Sequence, residues 1–446
     1  IQGVAGSGKT TVALHRLAWL LHQDNSPLQP DQVSYLVLSP ALRAYIENSL
    51  PSVGLSGIKI HTYHEWTGRT LRAMSADSNF AVERPSREAP HAASRVKRSL
   101  ELLRVIEARA KDIIADGSAL EQAKSVIVSV LSDPESLLRS QNSRALSAED
   151  LSITLSQTRE NFARGIIDWC DDALLVRAYQ LRGGTITTEE IGASRYEHLL
   201  VDEVQDLSPC ELATIVGAVK TPRDLTLVGD TGQNLDSTSS FPGWTALRKL
   251  WNLGHENSNF ISLQVSHRST LPIMRLADHI QDREPTSSGR PGRVPIWFKC
   301  RGEQHGIEQV LRWLTKATEL HPTRITAVLC ASQADASFAY RMLQPSFGPR
   351  VRLADSFSFS FEEGVVVTDI RNVKGLEFCS VLLWNPSNRS FPPSDLSRNL
   401  LYVAATRAEE NLCIVSWERT ASCLPQFGRS RLIRSMDLTT SDDEPQ

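Results

Sequence analysis

Residues 1–11 read "IQGVAGSGKTT". Gly3, Gly8, Lys9 and Thr10 complete the pattern G-x-x-x-x-G-K-[ST]. That spacing suits a loop that wraps phosphate: glycines at 3, 6 and 8 let the backbone turn tightly and aim N–H groups at anionic oxygens. Lys9 is placed to reach the β and γ phosphates, and the Thr10 hydroxyl to sit on Mg²⁺, which prefers oxygen ligands. A helix must follow so that its N-terminus faces the anion. The next stretch, "TTVALHRLAWLLH", carries Val12, Leu14, Leu17, Ala18 and Leu21 at helical spacing. The competing reading is a glycine-rich turn before an amphipathic helix, and the full match in this context weighs against it. A strand should precede such a loop, yet only "IQ" stands before it and there is no initiator Met. The expectation is a chain cut just upstream of its phosphate loop.

Outward from the loop, the sequence alternates between strand and helix. "VSYLVLSP" (33–40) and "SGIKIHTYHEW" (56–66) read as strands, after which residues 69–182 are mostly helical in pattern, as in "ENFARGIIDWCDDALLVRAYQL". The block reads as a helical insertion in an α/β domain. Strands resume at "YEHLLVDEVQDLS" (196–208) and "DLTLVGDTGQNL" (224–235). A third series, "FISLQVSHRS", "ITAVLCAS", "EGVVVTDI", "SVLLWN" and "NLCIVSWE", predicts a second parallel-sheet domain. The resulting division is residues 1–68 with 183–258 for the first sheet domain, 69–182 for the insertion, 259–432 for the second sheet domain, and a disordered tail over 433–446. "REPTSSGRPGRVP" (283–295) reads as a loop.

Composition narrows the class. With 48 Lys and Arg against 51 Asp and Glu, the net charge is −3, so a nucleic-acid surface must be a local patch. The seven cysteines are odd in number and lack a C-x-x-C pair, which argues against a disulfide framework and against a zinc site, and for buried thiols in a reducing cytoplasm. No apolar run approaches a membrane span.

A triphosphate site needs a second half. "HLLVDEVQD" is an apolar strand ending in carboxylates: Asp202 to help hold Mg²⁺, Glu203 to polarise the attacking water. An acidic strand end facing solvent is the plainer alternative, and the phosphate loop tips the balance. Asp230 and Gln233 emerge where "LVGDTGQ" ends, at the edge where open α/β sheets bind ligands, and Gln233 could sense the γ-phosphate. Arg268 in "SHRS" and Arg407 in "LLYVAATRA" are candidates to stabilise transition-state charge from across a cleft.

The ordered series "GVAGSGKTT", "LVDEVQDLS", "LVGDTGQ", "SHRS", "VKGLEF" and "LLYVAATRA" strongly resembles the UvrD/Rep-type superfamily 1 helicases, from Ile1 to about Ser416. The resemblance implies two RecA-like P-loop domains with ATP and Mg²⁺ between them, and 3′→5′ translocation on single-stranded or partly duplex DNA by a cytoplasmic, monomeric enzyme. It implies that Gly3, Ala5, Gly6, Ser7, Gly8, Lys9, Thr10 and Thr11 hold nucleotide, Thr10 and Asp202 the metal. Glu203 would activate water, Gln233 would couple nucleotide to nucleic acid, and Arg268 and Arg407 would be paired arginine fingers. Glu377 would meet the ribose. Nucleic acid would be contacted by Ser39 in "LSPALRAYIENSLP", by Thr62 and His64 in "HTYHEW", and by Phe241 and Trp244 in "FPGW". Those two aromatics suit base stacking or core packing equally.

The chain also departs from the family. His267 stands where a Tyr usually stacks on adenine, and Cys379 where an Asp commonly follows "KGLEF". The large second insertion of UvrD proteins is missing, since "PSFGPRVRLADSFSFSFEEGVVVTDI" runs almost straight into the later motifs. That absence, with the wording around the phosphate loop, points to the HelD/helicase IV-like branch, whose HelD group binds RNA polymerase and releases it from nucleic acid. A nucleotide switch without turnover is disfavoured because Lys9, Glu203, Arg268 and Arg407 are all present.

Overall fold

The computed structural model describes residues 1–22, 24–25, 28–75, 81–83, 91–139, 146–186, 195–231, 241–251, 253, 258–355 and 358–439. In chain order the strands are β1 (Gln2–Gly3), β2 (Val33–Val37), β3 (Lys59–Thr62), β4 (Ala81–Glu83), β5 (Ile166–Asp168), β6 (His198–Val201), β7 (Leu225–Leu227), β8 (Ser262–Leu263), β9 (Ile296–Cys300), β10 (Ile325–Cys330), β11 (Val351–Leu353), β12 (Gly364–Asp369), β13 (Phe378–Trp384), β14 (Ala408–Ser416) and β15 (Arg434–Leu438).

The first sheet runs β3-β2-β6-β7, all parallel. Strands β2 and β6 are apolar-rich and buried at every position, as parallel strands covered on both faces must be. The phosphate-loop strand β1 lies beyond β7: Gly229 N donates to Ile1 O at 3.0 Å and Gly3 N to Gly229 O at 3.3 Å. Its other side pairs with β8 in parallel, Gln2 with Ser262 and Gly3 with Leu263. This corrects the sequence boundary at 259, because β8 extends the first sheet rather than opening the second. A two-residue strand has no periodicity to read, and its sheet is chosen by the open backbone edge of β1.

The strand expected over 56–66 is also shorter. It stops at Thr62, which caps the helix Tyr63–Met74 through a reciprocal box with Glu65: Glu65 N donates to Thr62 Oγ1 at 3.3 Å, and Thr62 N to Glu65 Oε2 at 3.1 Å. Between β3 and β6 lies the helical block, with long helices at Leu100–Arg109, Ala119–Leu131, Ala148–Ala163 and Trp169–Leu181. It also holds a small parallel pair, β4 with β5, which the helical reading of 69–182 did not contain. Its core is continuous with one face of the first sheet, joining Leu103, Ile127 and Leu174 to Leu36, Leu199 and Val201. Within the block, Lys97 and Asp171 form a fully buried ion pair at 2.7 Å.

The second sheet has the order β11-β12-β10-β13-β14-β9-β15, again parallel throughout. The β-branched run of β12 and the apolar β13 are buried along their length. Residues 434–438 are not a disordered tail: they form β15, an edge strand paired with β9 from Arg434–Ile296 to Leu438–Cys300. The polar sequence "RSMDL" hid it, because an edge strand gains from backbone pairing without an apolar run. Residues 440–446 lie outside the described residues. All seven cysteines are free and buried. Among the described residues no helix is long and apolar enough to cross a membrane.

Candidate active site

The phosphate loop follows β1, and the helix Lys9–Leu21 begins at its end. Gly8 precedes that helix at φ 81° and offers no side-chain cap, so the first N–H groups are left for an anion. Two glycines are set by close approach. A Cβ on Gly3 would fall 2.3 Å from Ser7 Oγ, and one on Gly6, at φ +69°, would fall 2.6 Å from both Arg268 Cβ and Ser266 Oγ. The buried Lys9 ammonium donates to Gly3 O at 2.8 Å and Val4 O at 3.1 Å, 4.0 Å from Asp230. Burial holds its pKa below the usual lysine value, against the opposing pull of Asp230, Glu203 and Asp202.

Strand β6 delivers the carboxylates. Asp202 Oδ2 accepts from Thr10 Oγ1 at 2.8 Å and from the Tyr35 hydroxyl at 3.0 Å. Burial first, then its neighbour Glu203, raises the Asp202 pKa. Glu203 turns into left-handed backbone at φ 55°, a strained conformation for a residue with a Cβ that persists only where the surroundings enforce it. Gln205 is part of that enforcement: its Nε2 donates to Glu203 Oε2 at 2.5 Å, and its Oε1 accepts from Asp230 N at 2.9 Å. Burial pushes the Glu203 pKa up, but Lys374, Lys9 and Arg407 outweigh it, and the carboxyl is held below its ordinary value.

The far wall comes from after β8 and from the second sheet. His267 N and Arg268 N both donate to Gly6 O, at 2.8 and 3.2 Å, so the arginine loop docks on the phosphate loop. Arg268 pairs with Glu377, whose Oε1 accepts from the Tyr45 hydroxyl at 2.6 Å. Arg407 is 1% exposed and donates to Leu376 O at 2.9 Å and Val403 O at 3.2 Å. Burial, then Arg268, lowers its pKa to about 10. Lys374 reaches across from the second sheet to Glu203 at 3.7 Å and to Asp206.

Together these groups line a cleft of about 240 Å³ that contains Gly6, Ser7, Gly8, Lys9, Thr10, Thr11, Glu203, Arg268, Glu377 and Arg407. Gly3 and Asp202 stand directly behind it, through Lys9 and Thr10. Ala5 is buried in the second core and His267 is exposed outside the lining. Gln233 lies outside the described residues. The nucleic-acid candidates are elsewhere. Ser39 and Thr62 cap helices, accepting from Leu42 N and Glu65 N. His64 pairs with Asp172 at 2.6 Å and lies edge-on to Trp169. Trp244 packs edge-to-face with Phe241 and Phe260, and its indole N–H donates to Gln2.

The cleft suits a metal-bound polyphosphate. Thr10 Oγ1 and Asp202 Oδ2 converge as oxygen donors, and the buried Ser7 and Ser266 hydroxyls beside the loop lack hydrogen-bond partners among the described residues. Sequence reasoning overlooked Lys374 and Gln205 although both lie inside the motifs it used. Tyr45 carried no signal, since its role depends on Glu377 across a separation of 332 residues.

Two stretches of the chain match known family models. Residues 1–235 match the UvrD/REP helicase N-terminal domain and residues 364–415 the UvrD-like helicase C-terminal domain. The chain therefore belongs to the UvrD/REP helicase family, with an α/β fold of two RecA-like parallel sheets. It is similar to DNA helicase II of Salmonella typhimurium, 25% identical over 309 residues, covering 66% of this chain and 39% of that protein. It resembles the ATP-dependent DNA helicase UvrD2 of Mycobacterium bovis at 25% over 301 residues, covering 62% and 40%. A probable DNA helicase of Mycoplasma pneumoniae is 22% identical over 451 residues, covering 92% and 79%. The match thus spans about two fifths of the first two relatives. Among solved structures, the helicase nonstructural protein 10 of an arterivirus, in complex with DNA, aligns at 15% identity with a TM-score of 0.35, over 93% of this chain and 60% of that one.

Proposed function

We propose that the chain hydrolyses ATP in the cleft between its two sheets and uses the cycle to move on single-stranded DNA, with 3′→5′ polarity. One observation carries the reading: Arg268, Glu377 and Arg407 face the phosphate loop and Glu203 across a single cleft. Lys9 leaves its two loop carbonyls to meet the β and γ phosphates, and Thr10 with Asp202 would hold Mg²⁺. That ion, when bound, would neutralise phosphate charge. Glu203, kept ionised by Lys374, Lys9 and Arg407, orients the attacking water and accepts its proton. Arg268 and Arg407 stabilise the charge that spreads onto the γ-phosphoryl oxygens. Arg268 pairs with Glu377. Nucleotide competes for it, with Glu377 turning to the ribose, and this exchange couples binding to the spacing of the sheets. Gln233 completes the link to nucleic acid, which runs past Ser39, Thr62, His64, Phe241 and Trp244.

A second reading, a HelD-like ATPase that releases RNA polymerase from nucleic acid, is favoured by the short stretch of sequence between β11 and β12, residues 354–363, which is too short to hold an inserted domain. The test is ATP turnover by the full-length protein alone, with single-stranded DNA and with RNA polymerase, over a salt series. Strong, salt-sensitive stimulation by DNA supports the DNA motor. Little response to DNA, with tight polymerase binding, rejects it in favour of the second reading.

A further inference from the structure

Against the expectation from cysteine spacing, which cannot register ligands brought together from distant segments, we infer that the second sheet carries a zinc site, separate from the nucleotide's ion, formed by His321, Cys379 and Glu410. Their ligand atoms lie within 4.8 Å of one another. The local backbone explains how. Strands β13 and β14 pair Phe378 with Ala408, then Ser380 with Asn411, so Cys379 alone faces two residues, Glu409 and Glu410. A bulge of this kind re-aims side chains. It brings the buried Cys379 thiol and the Glu410 carboxylate together beneath His321, which ends the helix Glu303–Leu320.

One pair of the donor atoms is already near ligand spacing. His321 Nε2 is 3.7 Å from Glu410 Oε2. Ligands at about 2.0–2.3 Å from a tetrahedral ion lie roughly 3.3–3.7 Å from each other, so the set must close by up to about 1 Å or a little more to seat the metal. Arg290 engages the other Glu410 oxygen at 3.5 Å, leaving Oε2 turned inward. Asn411 Nδ2 lies 3.4 Å from His321 Nε2, a long contact that an ion would replace. Thiolate with imidazole and carboxylate selects Zn²⁺ over the hard cations Mg²⁺ and Ca²⁺. On binding, the thiol gives its proton to solvent, and water takes the fourth position on the exposed side. Cys379 follows Glu377 by two residues and Glu410 follows Arg407 by three. Zinc would therefore fix the register of the two strands that carry cleft residues.

The test is a Co²⁺ titration of the full-length protein without nucleotide, followed by displacement with Zn²⁺. The expected result is one equivalent bound with a thiolate-to-cobalt charge-transfer band, lost on Zn²⁺ addition and absent in Cys379→Ser. His321→Ala and Glu410→Gln, changes at side chains 24% and 44% exposed that leave the core intact, should each weaken binding by at least the roughly 10–100-fold that loss of an outer-shell partner costs. No band in the wild type, a band that survives Cys379→Ser, or wild-type affinity in both surface variants overturns the assignment.

Discussion

Lys374 is the group whose removal isolates how Glu203 is kept ready as a base. Its ammonium lies 3.7 Å from Glu203 Oε2, and both side chains are only 10% exposed. At that distance, with an effective dielectric near 20, the attraction is on the order of 4 kcal/mol. Lys374 shares its charge with Asp206, so about half of that is a fair share for Glu203. Since about 1.4 kcal/mol is tenfold in the ratio of ionised to protonated carboxyl, Lys374→Met should shift that ratio by more than tenfold. The sign follows from the depressed Glu203 pKa. The ionised base is present above that pKa and is lost as pH falls through it, so raising the pKa moves the acid limb of kcat/KM to higher pH. The assay is ATP turnover against pH for wild type, Lys374→Met and Lys374→Arg. The expected result is a loss of about tenfold or more at a pH on the wild-type acid limb, partial recovery at higher pH, and a near-normal limb in Lys374→Arg. An unmoved limb in Lys374→Met, or one displaced to lower pH, refutes the reasoning.

Other perturbations probe the same frame. Arg407→Ala should slow hydrolysis by about 10³-fold or more while nucleotide affinity changes far less, as measured by single-turnover kinetics beside equilibrium binding. Gly6→Ala places a Cβ 2.6 Å from Arg268 Cβ at a left-handed φ. With about 1–2 kcal/mol of backbone strain added to the clash, it should weaken nucleotide binding at least tenfold in calorimetry with the circular dichroism spectrum retained. Lys97→Met leaves Asp171 buried and unpaired, and should cost roughly 3–5 kcal/mol in urea unfolding, whereas Lys97→Met with Asp171→Leu should return close to wild type.

The sequence disclosed what is written locally. The phosphate loop, Asp202 and Glu203 after an apolar strand, and the apolar runs of β10, β12, β13 and β14 each follow from contiguous residues. What depends on folding the chain back was not legible. The β8 to β1 pairing joins residues about 260 apart through two-residue strands. The Tyr45–Glu377 contact and the Lys374 bridge to Glu203 exist only once both sheets face each other. Strand β15 lacks an apolar run because its edge position leaves much of it open to solvent. Trp244 fits stacking or packing by sequence, and the gift of its indole N–H to Gln2 beside the phosphate loop exists only in the folded chain.

The central claim is that one cleft, cradled by the loop at residues 3–10, performs the hydrolysis. The most direct test is phosphate release from ATP by the full-length protein, wild type against Lys9→Ala, at saturating single-stranded DNA. The account predicts turnover in the wild type and its abolition in Lys9→Ala, with the variant still folded. Turnover that persists in Lys9→Ala would place the chemistry elsewhere and contradict it.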